Sequence, residues 1–331
     1  MVEDKDFKIF LGGHNSQNPL IKNTEIGYKF FLANAGFSFC DDLTKADAVI
    51  LIELDRRILS AVPAHLPVIL IRNEPEVVWP DNYKKHLVKR VNKSIDVGQV
   101  DDQGNFTPWP QDWNQTSLET KNHESRLDRF VLINGNRLSF IRGELYSLRR
   151  TSVRKIEELD LFGKSWEITF SKKIYFFLAE FYIAVTNGFF PHVSNARSWF
   201  SSPRNYFGAP ENKFDVLSNY KYSLVIENSM GYMSEKLFDA LLARTVPIYV
   251  GPKVELFGIP KGLVVQVDPR LKSIKKAIAT AKEIDYEKWK NDLENWLAMP
   301  ETKDRWIAEN VFPRIVNEIK DYLIFIRSQK V

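Results

Sequence analysis

The sequence has 331 residues, of which 44% are hydrophobic and 27% are charged, and its formal net charge is +4. This composition is typical of a globular protein and excludes a disordered chain, while the small basic excess does not by itself indicate nucleic-acid binding. Because the length exceeds that of one ordinary hydrophobic core, we expect two α/β domains.

The sequence carries no sign of export or membrane insertion. Cys40 is the single cysteine, so no internal disulfide can form, which fits a reducing compartment. The first residues lack the basic segment and long apolar run of a signal peptide. The longest apolar stretch, Ile174–Val185, contains Glu180 and is shorter than the roughly 20 residues of a membrane span. We therefore expect a cytoplasmic protein.

The first third of the chain alternates between strand and helix signals. Apolar residues on helical spacing over 24–35, followed by Gly36, predict a helix. Strands are predicted at 7–11 and at the short, β-branched runs 48–54 and 68–71. Such strands are typical of a parallel sheet covered on both faces, so we predict an open doubly wound sheet for a first domain at 1–125. The polar, turn-rich residues 101–125 are interpreted as its closing loop.

A second domain is predicted at 126–300. It restarts with a strand at 129–134 that runs into a helix near 141–158. Its centre, 220–252, is interpreted as a βαβ unit with strands at 222–226 and 246–250 around a helix at 235–243.

Apolar residues share one face of a predicted helix at 315–327, within a third region at 301–331. Two interpretations remain open for this face. It docks on the body of the protein, or it makes peripheral contact with the inner membrane, helped by Arg327 and Lys330.

The loop between the two strands of the βαβ unit is the best candidate for a ligand site, since open parallel sheets bind ligands at the carboxyl ends of their strands. Exposed amides at a helix start suit a diphosphate, and Lys236 adds a full charge. Glu235 can accept hydrogen bonds from ribose hydroxyls, and Tyr232 can reach a phosphate or lie along the base. A purely structural interpretation also fits, with Ser234 capping the helix and Glu235 complementing its dipole.

The whole segment is more specific than its parts. Residues 220–252 read YKYSLVIENSMGYMSEKLFDALLARTVPIYVGP and closely resemble the donor-binding signature of family 10 glycosyltransferases, the α-1,3/α-1,4-fucosyltransferases. About thirty consecutive positions match that signature in type and spacing. Three positions depart from it. Ser234 stands where the family usually has threonine, Arg244 where it usually has a small residue, and Val250 where a tryptophan is common.

The resemblance implies a GT-B fold, in which two Rossmann-like domains face each other across a cleft. It also implies donor-binding residues for GDP-fucose. These are Glu227, Asn228, Tyr232, Ser234, Glu235 and Lys236. Upstream, residues 133–146 resemble the segment whose arginine contacts the donor phosphates in that family, and Arg142 is the matching position. Three other arginines lie close enough to position 142 to be alternative matches: Arg137, Arg149 and Arg150.

In the same family the first domain holds the acceptor and the catalytic base. The strand at 68–71 ends in Arg72–Asn73–Glu74–Pro75–Glu76, and the family carries a glutamate at a comparable strand end. Glu74 is our candidate base and Glu76 its alternative; an ordinary glutamate is ionised at neutral pH, so only placement is needed. His14 and Glu76 are weaker candidates for acceptor contact.

No metal-ligand spacing stands out among the five histidines and the single cysteine. We therefore expect a cofactor-free, metal-independent enzyme that stabilises the leaving diphosphate with Arg142, Lys236 and helix amides. The implied reaction is a single inverting displacement that moves L-fucose from GDP-fucose to an oligosaccharide or glycolipid acceptor. An N-acetylglucosamine-containing glycan, such as a bacterial surface polysaccharide, fits this role.

Two alternatives remain at this point. One is a transferase of the same fold that uses another GDP- or UDP-sugar, and the other is a catalytically decayed glycan-binding protein. The acceptor, the linkage position and the oligomeric state are not determined by the sequence.

Overall fold

In a computed structural model of the protein, the described residues are 7–13, 27–100, 106–111, 125–167, 170–186, 203 and 205–329. The chain divides into two compact units. The first combines Met1–Trp113 with Met299–Val331, and the second is Asn114–Ala298. The region predicted as a separate C-terminal element therefore belongs to the first unit.

The regular elements are parallel strands and helices of very different lengths. The strands are β1 Lys8–Gly12, β2 Ser38–Phe39, β3 Ala48–Ile52, β4 Val68–Arg72, β5 Lys93–Asp96, β6 Leu127–Ile133, β7 Leu159–Phe162, β8 Tyr220–Ile226, β9 Val246–Val250 and β10 Val265–Gln266. The α-helices are α1 Tyr28–Asn34, α2 Arg56–Ala61, α3 Lys85–Val88, α4 Tyr146–Lys155, α5 Phe170–Thr186, α6 Lys213–Leu217, α7 Lys236–Leu242, α8 Leu271–Lys282, α9 Tyr286–Ala298, α10 Pro300–Trp306 and α11 Ala308–Ser328. Short 3₁₀ helices lie at Leu43–Lys45, Pro80–Tyr83, Val254–Phe257 and Lys261–Leu263.

The first unit is built on a parallel sheet with strand order β2-β1-β3-β4-β5. The central strands β3 and β4 are apolar and buried almost throughout, as expected for strands covered on both faces. Helix α2 begins where the Asp55 side chain accepts hydrogen bonds from the backbone N–H groups of Arg57 and Ile58. The predicted doubly wound sheet is present.

Helix α11 completes the core of the first unit. Ile315, Ile319 and Leu323 lie in the same buried cluster as Ile9 and Ile50 of the sheet. The apolar stripe that the sequence predicted is thus buried against the unit's own sheet and is not available to a membrane surface. Within the described residues, no helix combines the length and the apolar character needed to cross a bilayer.

The second unit repeats this topology. Its strand order is β10-β9-β8-β6-β7, all parallel, so its first and third strands in chain order lie side by side, as β1 and β3 do in the first unit. The βαβ unit predicted at 220–252 is present as β8, α7 and β9. In both sheets the strand order reverses between the first and third strands, and this switch point is where open α/β sheets bind ligands.

One predicted helix starts later than expected. The pattern near 141–158 predicted a helix from Ile141, but α4 begins at Tyr146. Gly143 has φ 88°, in the left-handed region that a right-handed helix does not use. Arg142 consequently lies exposed in the turn before the helix.

Candidate functional site

Glu227 is the centre of a buried hydrogen-bond network in the second unit. It follows the last residue of β8 and is 0% exposed. One carboxylate oxygen accepts a hydrogen bond from the Ser234 backbone N–H at 3.0 Å, and the other accepts from the Ser234 hydroxyl at 2.6 Å. The two ends of the loop after β8 are therefore tied together by a single residue pair.

Lys236 extends this network toward the surface. Its Nζ donates to Ser234 Oγ at 2.8 Å and lies 4.0 Å from the Glu227 carboxylate. The lysine side chain is 22% exposed, whereas that of Glu227 is fully buried. The cation is thus held in place by buried groups and still reaches solvent, which suits it for an anionic ligand.

The charges of this loop influence each other. Burial raises the pKa of Glu227, and the cation of Lys236 and the Ser234 hydrogen bonds oppose that rise. Burial also opposes ionisation of Glu235, but the cations of Lys236 and Lys213 outweigh it and lower the pKa of that carboxyl. Glu235 is therefore an acceptor at neutral pH.

A buried arginine of α4, which the family resemblance leaves as an alternative match beside Arg142, holds the loop from one side. Arg149 is 2% exposed and donates to the backbone oxygen of Ile226 at 2.6 Å and to Asn228 Oδ1 at 2.9 Å. Its guanidinium lies 4.8 Å from the centre of the Tyr146 ring. Burial lowers the pKa of Arg149 to about 10, so the side chain remains charged at neutral pH. In the sequence, only its position in a predicted helix, one turn after Tyr146, pointed to a contact between Arg149 and this loop.

Tyr249 in β9 and Gly251, which follows that strand, pack against Glu227. Tyr249 is fully buried, and its hydroxyl donates to Glu227 at 3.4 Å. A Cβ placed on Gly251 would come within 2.4 Å of the Tyr249 ring and 2.9 Å of Glu227 Cγ. The tyrosine and the glycine two residues later are therefore required by close packing around the same carboxylate.

The other predicted donor residues differ in how far they are exposed to solvent. Asn228 is almost fully buried, and its backbone oxygen accepts from the Leu145 N–H at 3.0 Å. Tyr232 is 1% exposed, so its ring packs inside the unit rather than lying open to a ligand. Glu235 and Lys236 are partly exposed, and Arg142 is exposed in the turn before α4.

The candidate base lies at the carboxyl edge of the first sheet. Glu74 is half-buried in the turn that follows β4, and Glu76 is exposed two residues later. The Tyr83 hydroxyl donates to the Glu74 backbone oxygen at 3.1 Å. His14 lies outside the described residues. Over the part of the chain that the structure describes, no group of three or more His, Cys, Asp and Glu side chains is arranged to hold a metal ion.

A residue that the sequence analysis missed, Glu53, lies beside this turn. It directly follows β3, is 0% exposed and accepts a hydrogen bond from the Asn73 N–H at 2.8 Å. Its signal in the sequence was an acidic residue near the end of the run predicted as a strand at 48–54.

Several solved structures resemble this chain over nearly its whole length. An α1,3-fucosyltransferase matches with 16% identity and a TM-score of 0.52, covering 98% of this chain and 92% of the other. HepE from Anabaena, solved with UDP and glucose, matches with 10% identity and a TM-score of 0.57, covering 95% and 100%.

A glycosyltransferase from Rickettsia africae matches with 10% identity and a TM-score of 0.56, covering 96% and 99%. No protein-family model matches the sequence, and no curated protein does. At these identities the likeness concerns the fold, and it confirms the predicted class: the chain has the GT-B fold.

Proposed function

We propose that the protein is a glycosyltransferase that takes a sugar from a nucleotide-sugar donor, and that the donor is GDP-fucose. The observation that carries this proposal is the network of Glu227, Ser234 and Lys236 at the carboxyl end of β8. It presents a fixed cation at the switch point of a parallel sheet, where a nucleotide diphosphate is expected to bind.

In the proposed complex, Lys236 contacts the diphosphate, and Glu235 accepts hydrogen bonds from the ribose hydroxyls. Arg142, exposed in the turn before α4, supplies a second cation. As the sugar leaves, negative charge accumulates on the diphosphate, and two cations held nearby stabilise it most in the transition state. We expect this stabilisation to need no metal ion.

In the proposed reaction, Glu74 takes the proton from an acceptor hydroxyl. The oxygen attacks the anomeric carbon from the face opposite the leaving nucleotide, so the configuration inverts. A glycan hydroxyl is the proposed acceptor. Support for fucose comes from the match of residues 220–252 to the fucosyltransferase signature and from the fold shared with an α1,3-fucosyltransferase solved with GDP-fucose.

A different donor is the second candidate, because HepE has a fold of the same class and was solved with UDP and glucose. A thermal-shift screen with GDP, UDP and their sugars separates the two. We expect stabilisation by GDP and GDP-fucose. Stabilisation by UDP without GDP would exclude the proposed donor.

Turnover is tested by GDP release from GDP-fucose with a panel of glycan acceptors, with and without EDTA. We expect acceptor-dependent release that the chelator leaves unchanged. Donor binding without release on any acceptor would favour a glycan-binding protein, and loss of release in EDTA would contradict the metal-independent mechanism.

A further inference from the structure

Glu53 is a buried carboxylate that the proposed reaction does not use. Its backbone has φ 61°, a left-handed conformation that non-glycine residues rarely adopt and that clusters at functional sites. Gly13, which follows β1, lies against it: a Cβ there would come within 2.5 Å of the Glu53 backbone oxygen. Glu53 thus lies at the switch point between β1 and β3, under local strain and without access to solvent.

The Glu53 carboxylate holds the turn that carries the candidate base. One oxygen accepts from the N–H of Asn73, the residue directly before Glu74, at 2.8 Å. The second oxygen accepts from the side-chain amide of Asn82. The first residue after β4 is therefore fixed through its backbone N–H by this side chain, one position before Glu74.

The same two residues are held from other directions as well. The Tyr28 hydroxyl donates to Asn73 Oδ1 at 2.8 Å. The Tyr83 hydroxyl donates to the Glu74 backbone oxygen, and Gln99 Nε2 donates to Tyr83 at 2.6 Å. With Asn73 held through its N–H and its side chain, and Glu74 through its carbonyl oxygen, the backbone is fixed on both sides of the Glu74 side chain.

We propose that Glu53 is a positioning residue for Glu74, whose backbone it fixes so that the Glu74 carboxylate meets the acceptor hydroxyl in one orientation. This inference rests on the proposed function, in which Glu74 is the base. Positioning of this kind affects the rate of the chemical step, because a displacement of about 1 Å can cost roughly a hundredfold in rate.

The hydrogen-bond pattern requires an acceptor on both oxygens of residue 53. Asn82 Oδ1 accepts from the Leu54 N–H at 2.8 Å, so the Asn82 amide is oriented with its NH₂ toward Glu53. In Glu53→Gln the new NH₂ group would face another donor, either the Asn82 amide or the Asn73 backbone N–H. Adding Asn82→Asp reverses the hydrogen bond between residues 53 and 82. The new glutamine amide then donates to the aspartate, which still accepts from the Leu54 N–H.

The experiment compares the wild type, Glu53→Gln and the double variant Glu53→Gln/Asn82→Asp in the transfer assay, with GDP affinity and thermal melting measured in parallel. For Glu53→Gln we expect kcat to fall by about 10- to 100-fold, with GDP affinity unchanged. For the double variant we expect kcat to return to within a few-fold of wild type.

A Glu53→Gln variant with wild-type kcat would overturn the proposal. So would a double variant that melts like wild type but stays as slow as the single variant, because restored hydrogen bonds would then not restore the rate. The double variant also provides the test if Glu53→Gln alone does not fold.

Glu74→Gln separates this inference from the function on which it rests. If Glu74→Gln transfers sugar at the wild-type rate, Glu74 is not the base and the positioning role falls with it. If Glu74→Gln is inactive while Glu53→Gln is fully active, the proposed reaction stands and the role of Glu53 alone is refuted.

Discussion

Glu53 and Glu227 occupy corresponding positions in the two sheets. Each directly follows the third strand of its unit, beside the first strand, and each is fully buried. In both, burial raises the pKa of the carboxyl. Each carboxylate also accepts backbone N–H groups from a turn or loop that carries a predicted functional residue: Glu74 in the first unit and Lys236 in the second. In both units a buried carboxylate therefore organises the sheet edge that carries the predicted functional residues.

Glu53 should make the stability of the first unit depend on pH. Burial, with a contribution from the charge of Glu74, raises the pKa of Glu53 to about 7 from an ordinary 4.5. Tyr28 and Tyr83 are the other titratable groups that interact with it. Between these values the folded state binds a proton that the unfolded state has lost, so stability falls as the pH rises from about 4.5 to 7, by at most about 3 kcal/mol.

Urea unfolding of the wild type and of Glu53→Gln at pH 5 and pH 8 tests this dependence. We expect the wild type to lose more unfolding free energy than the variant between the two pH values. Parallel losses would show that Glu53 is not the titrating group.

Lys236→Ala should weaken GDP binding by at least about tenfold, or roughly 1.4 kcal/mol, because it removes the fixed cation of the loop. Lys276, exposed on α8, provides a matched control that removes an equal charge at a different place in the same unit. Isothermal titration calorimetry measures both. Equal affinities for the two variants would refute the assignment of Lys236 to the diphosphate.

Ser234→Ala should destabilise the second unit by about 1–3 kcal/mol, because it removes a hydroxyl that donates to the buried Glu227 carboxylate and accepts from Lys236. Ser234→Thr keeps that hydroxyl and is the residue usual in the resembled signature. We expect its melting temperature and GDP affinity to stay closer to wild type than those of the alanine variant. An alanine variant indistinguishable from threonine in both measurements would contradict the network.

Arg149→Met should lower both the stability of the second unit and its GDP affinity, since Ile226 and Asn228 lose a charged donor in a buried setting. We expect a cost of about 2–4 kcal/mol in unfolding free energy. Arg149→Lys keeps the charge but has one nitrogen in place of the Nε and Nη2 that together donate to Ile226 and Asn228. If lysine restores GDP affinity fully, charge alone explains the effect; partial rescue is the result we expect.

The sequence predicted the βαβ unit closely. Strand β9 occupies the predicted residues 246–250, and β8 begins two residues earlier than the predicted start at 222. These elements were visible because a buried parallel strand requires an uninterrupted apolar run, which is a local property. The short strands β2, β5 and β7 carry too few residues for such a signal.

The hydrogen-bond networks were less predictable. Arg149 and Asn228 are separated by 79 positions, and no periodic pattern connects them. For Glu53, the sequence showed an acid near the end of the strand predicted at 48–54, but not that the backbone N–H of Asn73, 20 positions later, would donate to it. The apolar face of the C-terminal helix was predictable from its spacing, but the sheet that buries it was not.

The division of the chain has a consequence for the order of folding during synthesis. All residues of the second unit, Asn114–Ala298, are contiguous, so this unit can complete its core as soon as they leave the ribosome. The first unit must wait for α11, because Phe312, Ile315 and Ile319 cover a face of the sheet formed by the earliest residues. Until then that apolar face is unprotected, so the unit whose sheet is synthesised earlier is completed later than the second unit.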